Sequence, residues 1–430
     1  MSGKKSMGLW SAVSIGIGGM VGGGVYSLMG TATQIAGNAM YISFAIAGVV
    51  ALLSTYSYAK LGAKFPSAGG PVEFLVRGFG DGIISGGFNI LLWIGYIFAL
   101  SLYARAFGAY AMTFFPMLPA YWMHVFVTAI VVFFTAVNFM GSKAVGRSEL
   151  FVVTVNFGVL VFFSIVGFLF IKPSLLSPIH WSNMSGIFFA SGVVFLTYEG
   201  FGLVTNAAED MKNPQRTLPL ALYLSVAIVI LIYVFTSVAV VGNLSVPKIV
   251  KASDYAVAAA AKPFLGLIGF KIISIAALFA TSSAINATLY GGANVSYMIA
   301  RDGELPEIFE KKLWKRAPEG LFFTAALVIL ISNLIDLGGI GMLGSASFLL
   351  IYAAVNIGHL NLYKETGANP HIIWLAIIGC IFSFVILSYY LVFHSPITLV
   401  LLAVVLVLSF LAEIMYRRHT FRSLKVRSKV

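Results

Sequence analysis

Long apolar runs separated by short polar gaps dominate the chain from end to end. A helix needs about 20 consecutive apolar residues to cross a bilayer, and twelve runs reach or approach that length. The predicted spans are 8–34, 40–62, 82–114, 120–140, 148–171, 185–207, 217–242, 264–298, 320–336, 340–361, 371–393 and 396–416. The runs are too uniformly apolar for the alternating pattern of a membrane β-barrel. The pattern therefore predicts an all-α polytopic membrane protein with about 12 transmembrane helices.

Composition supports this class. Hydrophobic residues make up 60% of the 430 residues and charged residues only 10%, whereas a soluble domain is about one quarter charged. The single cysteine, Cys380, cannot form an intrachain disulfide or a cysteine metal site, and no two histidines have ligand spacing. Composition therefore predicts a chain embedded in the lipid bilayer, with no cofactor and no certain metal.

The basic residues predict the orientation. The net charge is +12, but the Lys and Arg residues lie in the gaps between apolar runs, which argues against a nucleic acid partner. If the N-terminus is cytoplasmic, the cytoplasmic segments hold 21 of the 27 Lys and Arg residues, including six in the tail 417–430. Cytoplasmic loops of membrane proteins carry such an excess. We therefore predict a multi-pass protein of the cytoplasmic membrane with both termini in the cytoplasm.

Two of the predicted spans contain helix-weakening sequences. The first span holds six glycines in the nine residues 16–24, and the sixth span holds Tyr198–Gly202, with a carboxylate inside it. Glycine lowers helix stability by roughly 1 kcal/mol relative to alanine. The first span is therefore expected to open in its middle, and the sixth span to have a second weak point.

Interrupted spans at matching places in two halves indicate the substrate site of a secondary transporter. Because each half would hold five spans, the two halves would be inverted with respect to each other. Freed N–H groups of a broken helix can bind a carboxylate and freed carbonyls an ammonium or a metal cation, so an amino acid would satisfy both. The alternative for the first span is close helix packing through Gly18 and Gly22.

Several motifs then identify a family resemblance. They are the glycine-rich run ending in Gly22–Tyr26, Lys60–Pro71, Tyr198–Gly202, Asn206–Arg216, Asn286–Asn294 and Arg301–Pro306. With these motifs the chain resembles the amino acid–polyamine–organocation superfamily over nearly its whole length, in particular the ApcT-like prokaryotic amino acid transporters. The resemblance implies a five-plus-five inverted-repeat (LeuT-like) fold with two extra C-terminal helices. The repeats would cover 8–171 and 185–361, the accessory helices 371–416, and the basic tail 417–430.

The resemblance also implies a site at the two broken helices. The backbone of Gly23 and Gly24 would receive the α-carboxylate, and carbonyls of Met20, Leu196 and Glu199 the α-amine. Tyr198 and Phe201 would line the side-chain pocket, with Phe201 as the better candidate for a gate. The implied substrate-binding set is Met20, Gly22, Gly23, Gly24, Leu196, Tyr198, Glu199, Gly200 and Phe201.

The sequence departs from the family pattern at Asn156. Proton-coupled members of this branch carry a lysine there, and asparagine cannot take up a proton near neutral pH. The surrounding match is Gly18 and Val21 in the first span and Thr281, Ser282 and Ser283 in the eighth. Their carbonyls and hydroxyls could hold sodium, so proton coupling, sodium coupling and exchange without an ion all stay open. The simplest alternative is that Asn156 only bonds to a neighbouring helix.

A second departure is Glu199, where relatives usually carry an apolar residue. A carboxylate inside a membrane is costly, so a functional role is the default hypothesis, and burial disfavours its charged form. Glu199 would either pair with a cationic substrate or replace the missing lysine as the proton carrier. It could instead pair with another basic residue, such as Arg105 in the third span, or face a water cavity.

Other classes of protein fit the sequence less well. No zinc-protease motif, no nucleophile elbow and no compact acid pair within one span supports an enzyme. No repeated filter indicates a channel, and a sensor would bind substrate without moving it. The sequence therefore predicts a secondary active transporter of amino acids, with a cationic amino acid or polyamine exchanger as the alternative. A functional monomer is expected because both repeats lie in one chain.

Overall fold

The computed structural model describes residues 7–67, 69–140, 145–181, 183–301, 312–313, 317–318 and 320–420. The helices are α1 (Leu9–Val21), α2 (Gly24–Ala36), α3 (Met40–Lys64), α4 (Pro71–Phe79), α5 (Ile83–Met112), α6 (Trp122–Met140), α7 (Val145–Leu169), α8 (Met184–Val194), α9 (Leu203–Asn206), α10 (Pro214–Asn243), α11 (Val246–Ala252), α12 (Ala256–Arg301), α13 (Gly320–Leu334), α14 (Leu337–Thr366), α15 (Pro370–His394) and α16 (Pro396–Thr420). Short 3-10 segments cover Pro173–Leu176, Pro178–His180, Phe195–Gly202, Ala208–Asp210 and Ser253–Tyr255. Two-residue strands, β1 (Lys312–Leu313) and β2 (Ala317–Pro318), pair antiparallel.

The predicted all-α polytopic architecture is confirmed. Among the described residues, ten helices are long and apolar enough to cross a membrane, and the bent pair of α1 and α2 makes an eleventh span. The predicted ninth span is the shorter apolar helix α13, which has 15 residues. Helices α4 and α11 were not predicted, because the span criterion detects only long apolar runs.

The predicted eighth span lies within a longer helix. We expected it over 264–298, but α12 begins at Ala256 and its backbone is non-helical at Gly266, where φ is 66°. Residues with positive φ are nearly always glycine because a side chain there meets the backbone. Gly266 therefore separates a short helical piece, 256–265, from the membrane-crossing part of α12.

Corresponding spans of the two halves pack on each other. The second span α3 packs on the seventh span α10, the third span α5 on α12, and the fourth span α6 on α13. The broken first span packs on the 3-10 segment Phe195–Gly202 of the sixth span. This pairing joins each span of the first predicted repeat to its counterpart in the second, and it brings the two interrupted spans into contact.

Burial separates central from peripheral helices. In the most apolar stretches of α5 and α14, 78% and 89% of the residues are buried, whereas in those of α6 and α16 only 17% and 22% are buried. A helix that is apolar all round but largely exposed within the protein faces lipid. Helices α5 and α14 therefore form the walls around the interrupted spans, and α6 and α16 lie at the periphery.

One face of the bundle holds both ends of the described chain, and we refer to it as the inner face. The N–H of Met7 donates to the carbonyl of Asp210 there, and Arg417 Nη2 lies 2.5 Å from Asp81 Oδ1. Arg417 also pairs with Glu413, one helical turn earlier in α16. The first residues of the predicted tail are thus helical, since α16 continues to Thr420, and residues 421–430 lie outside the described part.

Candidate functional site

The first span is interrupted where the glycine run predicts. Helix α1 ends at Val21, α2 begins at Gly24, and the two helix axes differ in direction by 41°. A side chain at Gly22 would lie 2.5 Å from the Cβ of Ala284 in α12, and one at Gly23 would overlap the ring of Tyr103 in α5. The first N–H groups of a helix have no partner within it, so the start of α2 offers backbone donors at this break.

The sixth span changes its helix type at the predicted weak point. Phe195–Gly202 forms eight residues of 3-10 helix between α8 and α9. Runs longer than three or four residues are uncommon, and a 3-10 stretch inside a helix often marks a functional hinge. Because 3-10 helices have three residues per turn, Leu196, Glu199 and Gly202 share one face, whereas Tyr198 and Phe201 share another.

The two interrupted spans touch through their backbones. A side chain at Gly19 would lie 2.8 Å from the carbonyl oxygen of Gly200, and one at Gly200 would overlap the backbone of Gly19. A side chain at Gly24 would lie 2.8 Å from the Cα of Thr197. The glycines therefore serve both as the break and as a contact surface, and Gly22, which the close-packing alternative named, packs on Ala284.

Glu199 is buried beside the break in the first span. Its side chain is 2% exposed, and its Oε1 accepts a hydrogen bond of 3.4 Å from the hydroxyl of Tyr103. The same Tyr103 ring lies against Gly23, so one aromatic side chain joins the carboxyl group to the break. No ion pair to Glu199 is present in the described part of the chain.

Arg105 is not the partner of Glu199. Its Nη1 donates to the carbonyl of Ser332 at 2.9 Å, and the side chain lines a cavity of about 300 Å³ with Asp254 and Asp336. Asp336 caps the first residues of α14, whose N-terminus lies at the opposite end from the inner face. The hypothesis that Arg105 neutralises Glu199 is therefore wrong. Arg105 lies two residues after Tyr103 in α5, which places it on the other side of the helix, and its own contacts hold it there.

Tyrosine and serine side chains hold the backbone of the interrupted spans. The hydroxyl of Tyr233 in α10 donates to the carbonyls of Met20, at 2.6 Å, and Thr197, at 3.2 Å. The hydroxyl of Tyr352 in α14 donates to the carbonyl of Glu199 at 2.6 Å.

Ser345 in α14 also holds the backbone of the sixth span. Its Oγ accepts from the N–H of Leu196 at 2.9 Å and donates to the carbonyl of Val193. Sequence reasoning missed Tyr103, Tyr233, Ser345 and Tyr352, since nothing distinguishes them locally from other polar residues in spans.

The rings of Tyr198 and Phe201 lie on the other face of the 3-10 segment. The hydroxyl of Tyr198 donates to the carbonyl of Phe44 at 2.9 Å, toward the second span. The ring centroid of Phe201 lies 5.2 Å from that of Tyr58 and 5.1 Å from that of Tyr352. Phe201 thus packs between the second and tenth spans, and its part as a gate stays a prediction.

Asn156 bridges the break in the first span. Its Nδ2 donates to the carbonyl of Val21 at 3.4 Å, and its Oδ1 accepts from the hydroxyl of Tyr26 at 2.8 Å. Both polar groups of the side chain therefore bond to neighbouring helices, as the simplest alternative expected. The carbonyl of Val21 is one of those freed by the break.

The other residues of the predicted ion region lie on two different elements. A side chain at Gly18 would be 2.9 Å from Val153 in α7, and the Thr281 hydroxyl bonds back to the carbonyl of Ala277 in its own helix. Ser282 and Ser283 follow in α12, next to Ala284, which packs on Gly22. The region therefore lies beside the break, and sodium binding there stays a prediction.

Fold and site together define a multi-pass membrane transporter with two interrupted helices. The model of the amino acid permease family matches residues 7–412, and the chain belongs to that family. The chain is 44% identical to the uncharacterized protein MJ0609 of Methanocaldococcus jannaschii, over 90% of this chain and 89% of that one. It is 35% identical to the inner membrane transport protein YbaT of Escherichia coli, over 89% and 91%. It is 30% identical to the vacuolar cationic amino acid transporter 4 of Arabidopsis thaliana, over 82% of this chain and 62% of that one.

Proposed function

We propose that this permease is a secondary active transporter that binds an α-amino acid at the contact between its interrupted first and sixth spans. The observation that supports this most is the start of α2 at Gly24, which faces the 3-10 segment. The positive end of a helix dipole and free N–H groups favour the α-carboxylate there. The α-amine would bind carbonyls at the end of α1 and in the 3-10 segment, of which Met20 and Glu199 each accept one tyrosine hydroxyl. A carbonyl oxygen has two lone pairs, so each can accept a second bond.

Burial supports alternating access as the mechanism. Met20, Leu196, Tyr198, Glu199 and Phe201 are each at most 2% exposed, so the site is closed to both sides of the membrane. An amino acid can reach it only if the walls formed by α5 and α14 move relative to the interrupted spans. We place the inner face in the cytoplasm, because the Lys and Arg residues are concentrated there. One chain contributes all these groups, so the transporter acts as a monomer.

Coupling through Glu199 follows from its environment. A buried charged carboxylate without a cation costs several kcal/mol, and the described contacts of this carboxyl are to a tyrosine hydroxyl. The carboxyl therefore needs a proton whenever the site is closed around a neutral amino acid. We propose that Glu199 carries the coupling proton, in the role that a lysine has in proton-coupled members of this family. Asn156 has no titratable proton and instead fixes the geometry of the break.

A second candidate function also rests on Glu199. A lysine, arginine or polyamine ammonium could neutralise the carboxylate directly, and the protein would then exchange cationic substrates without a proton. The name of the Arabidopsis relative refers to cationic amino acids, which favours testing this candidate beside the first. The two candidates differ in what accompanies the buried carboxylate, a proton or a substrate cation.

The experiment is uptake by purified protein in liposomes. A labelled amino acid panel is tested under a pH gradient, a sodium gradient, or preloading with unlabelled substrate, for the unmodified protein, Glu199→Gln and Glu73→Gln. Glu73 is the control because it forms a half-exposed pair with Arg77 on α4. We expect the pH gradient to drive uptake of neutral amino acids, and Glu199→Gln to lower that uptake at least tenfold while preloaded exchange persists.

Each other outcome has a definite meaning. Uptake driven only by sodium would show that Glu199 does not carry a coupling proton. It would favour sodium binding in the predicted ion region, which contains Gly18, Val21, Ser282 and Ser283. Loss of only cationic substrates in Glu199→Gln would favour the exchanger. No uptake of any amino acid under all three conditions would contradict the proposed function itself.

A further inference from the structure

Buried polar side chains line the contact between the second and tenth spans, between Glu199 and the inner face. They recur every three or four residues along α3 and along α14, so each set lies on one side of its helix. The set on α3 is Ser54, Ser57 and Tyr58, and the set on α14 is Tyr352, Asn356 and His359. All six are at most 2% exposed. Polar groups so placed inside a membrane are costly, and such residues commonly mark ion or proton pathways.

The outer end of this polar track reaches Glu199. The Tyr352 hydroxyl donates to the main-chain carbonyl of Glu199 at 2.6 Å. The ring centroid of Tyr58 lies 5.3 Å from that of Tyr352. The Tyr58 ring and the Tyr352 hydroxyl both lie within 4 Å of where a side chain at Gly202 would be. The track therefore begins at the main chain of Glu199, the residue that we propose as the proton carrier.

The middle of the track contains polar atoms that lack a protein partner. Asn356 Nδ2 donates to Ser54 Oγ at 3.3 Å, and Ser54 Oγ lies 3.2 Å from Cys380 Sγ. Four buried atoms have no hydrogen-bond partner in the described part of the chain: Ser57 Oγ, Tyr58 OH, Asn356 Oδ1 and His359 Nδ1. An unsatisfied buried polar atom costs about 1–3 kcal/mol, and ordered water normally satisfies such groups. Four of them on one helix contact indicate a file of water molecules.

The inner end of the track opens into a cavity. His359 Nε2 lies 2.9 Å from Thr366 Oγ1, seven residues further along α14. Thr366 and Lys60 line a cavity of about 300 Å³ at the inner face. His359 is therefore the last buried titratable group before the cavity, with Nε2 toward the cavity and Nδ1 in the unsatisfied cluster.

We propose that this track is a hydrated proton path that connects Glu199 with the inner face, and that His359 is its relay. The Glu199 carboxyl group releases its proton to a water molecule, and the proton passes along waters and hydroxyls to His359 Nδ1. His359 then releases the proton on Nε2 to cavity water, directly or through the Thr366 hydroxyl, which leaves the ring protonated on Nδ1. Rotation of the ring, or transfer of that proton through water, resets the tautomer before the next cycle. One proton enters and one leaves. Histidine suits this step because one ring nitrogen can accept a proton while the other donates one. The proposal rests on the proposed function, since it gives the proton carried by Glu199 its exit.

The other titratable groups near the track are few in the described structure. They are Lys60 on α3, Cys380 on α15, Tyr96 and Tyr103 on α5, the Glu73–Arg77 pair on α4, and the Glu413–Arg417 pair on α16. In each pair the arginine lies one helical turn from its carboxylate, and Arg417 also contacts Asp81 at the inner face. The Lys60 amine donates to the carbonyl of Gly367 at the inner face.

The first experiment separates proton movement from substrate movement. Liposomes that contain a pH-sensitive dye report proton entry during amino acid uptake, and preloaded exchange at equal pH reports substrate movement. His359→Gln keeps a polar group but cannot relay a proton, and His371→Gln is the control because His371 is exposed at the start of α15. We expect His359→Gln to lower proton entry at least tenfold and to leave exchange within about twofold of the unmodified protein. Unchanged proton entry in His359→Gln would overturn the relay. Failure of exchange in the unmodified protein would instead contradict the proposed function.

The second experiment tests the water file and does not depend on the folding of His359→Gln. Cys380→Ser removes the only cysteine, and Ser57→Cys or Ser409→Cys is added to that protein. Ser409 is also fully buried, but its hydroxyl bonds to the carbonyl of Val405 in its own helix. Ag⁺, which is no larger than a water molecule, is added from the inner side. The protein is then unfolded in denaturant and treated with a maleimide, which labels only those thiols that have not bound Ag⁺. We expect protection at position 57 and none at 409. Equal reactivity of the two positions would overturn the hydrated path.

Discussion

Gly200→Ala tests the backbone contact between the interrupted spans. A side chain at Gly200 would overlap the backbone of Gly19 and lie 2.6 Å from the backbone nitrogen of Met20. That separation is roughly 1 Å shorter than a favourable van der Waals contact. Backbone atoms cannot rotate away as a flexible side chain can, so the first and sixth spans must separate. Gly202→Ala is the matched control, because a side chain there would meet Tyr58 at an ordinary 3.6 Å.

The expected magnitude follows from the cost of overpacking. An added methyl group in a tightly packed interior costs about 1–3 kcal/mol, which corresponds to a shift of about 5- to 150-fold in the population of the closed site. The substitution also removes the flexibility of glycine and favours helix by up to about 1 kcal/mol. That gain is common to both variants, so their difference isolates the clash at Gly200.

The assay compares the two variants in preloaded exchange and in thermal unfolding. We expect Gly200→Ala to lower the exchange rate at least fivefold and to lower the unfolding temperature, while Gly202→Ala stays near the unmodified protein in both. If the two variants behave alike, the backbone contact does not hold the site together. An unchanged exchange rate in Gly200→Ala would show that transport does not need this contact.

Two further predictions concern polar contacts away from Glu199. Asn156→Leu should lower the free energy of unfolding by about 1–3 kcal/mol, because it leaves the buried hydroxyl of Tyr26 unpaired. The ion that drives uptake should stay the same in this variant. A change of that ion would show that Asn156 takes part in coupling. Arg417→Gln should lower the unfolding temperature more than Arg77→Gln. The Glu413 carboxylate that Arg417 neutralises is fully buried, whereas Arg77 belongs to a half-exposed pair of the kind worth at most about 1 kcal/mol. Equal shifts in thermal unfolding would contradict this reasoning.

The sequence located the interruption in the first span closely. The glycines at 16–24 predicted an opening, and α1 ends at Val21 within that run. Helix propensity is a local property of the chain, and here packing reinforces it because Gly22, Gly23 and Gly24 each face a neighbouring element that leaves no room for a side chain. The spans were predictable for the same reason, since the length of an apolar run is set by bilayer thickness.

The partners of Glu199 were not predictable in this way. The sequence marked Glu199 as an unusual carboxyl group inside a span, but its proposed partner Arg105 contacts Ser332 instead. The hydroxyl that reaches the carboxyl belongs to Tyr103, 96 positions away, and the chain has 19 tyrosines with no local feature to separate them. Such a contact depends on how the third span packs on the sixth.

By itself, the sequence determined the membrane class, the number of apolar spans and the positions of the two weak helices, because all three follow from local hydrophobicity and propensity. The tertiary structure alone decided which side chains meet there. The 3-10 turn at Phe195–Gly202 sets Glu199 and Phe201 on different faces, and the packing of α5, α10 and α14 supplies Tyr103, Tyr233 and Tyr352. Residues far apart in sequence come together only when helices pack, and a periodicity of three or 3.6 residues then decides which of them face each other.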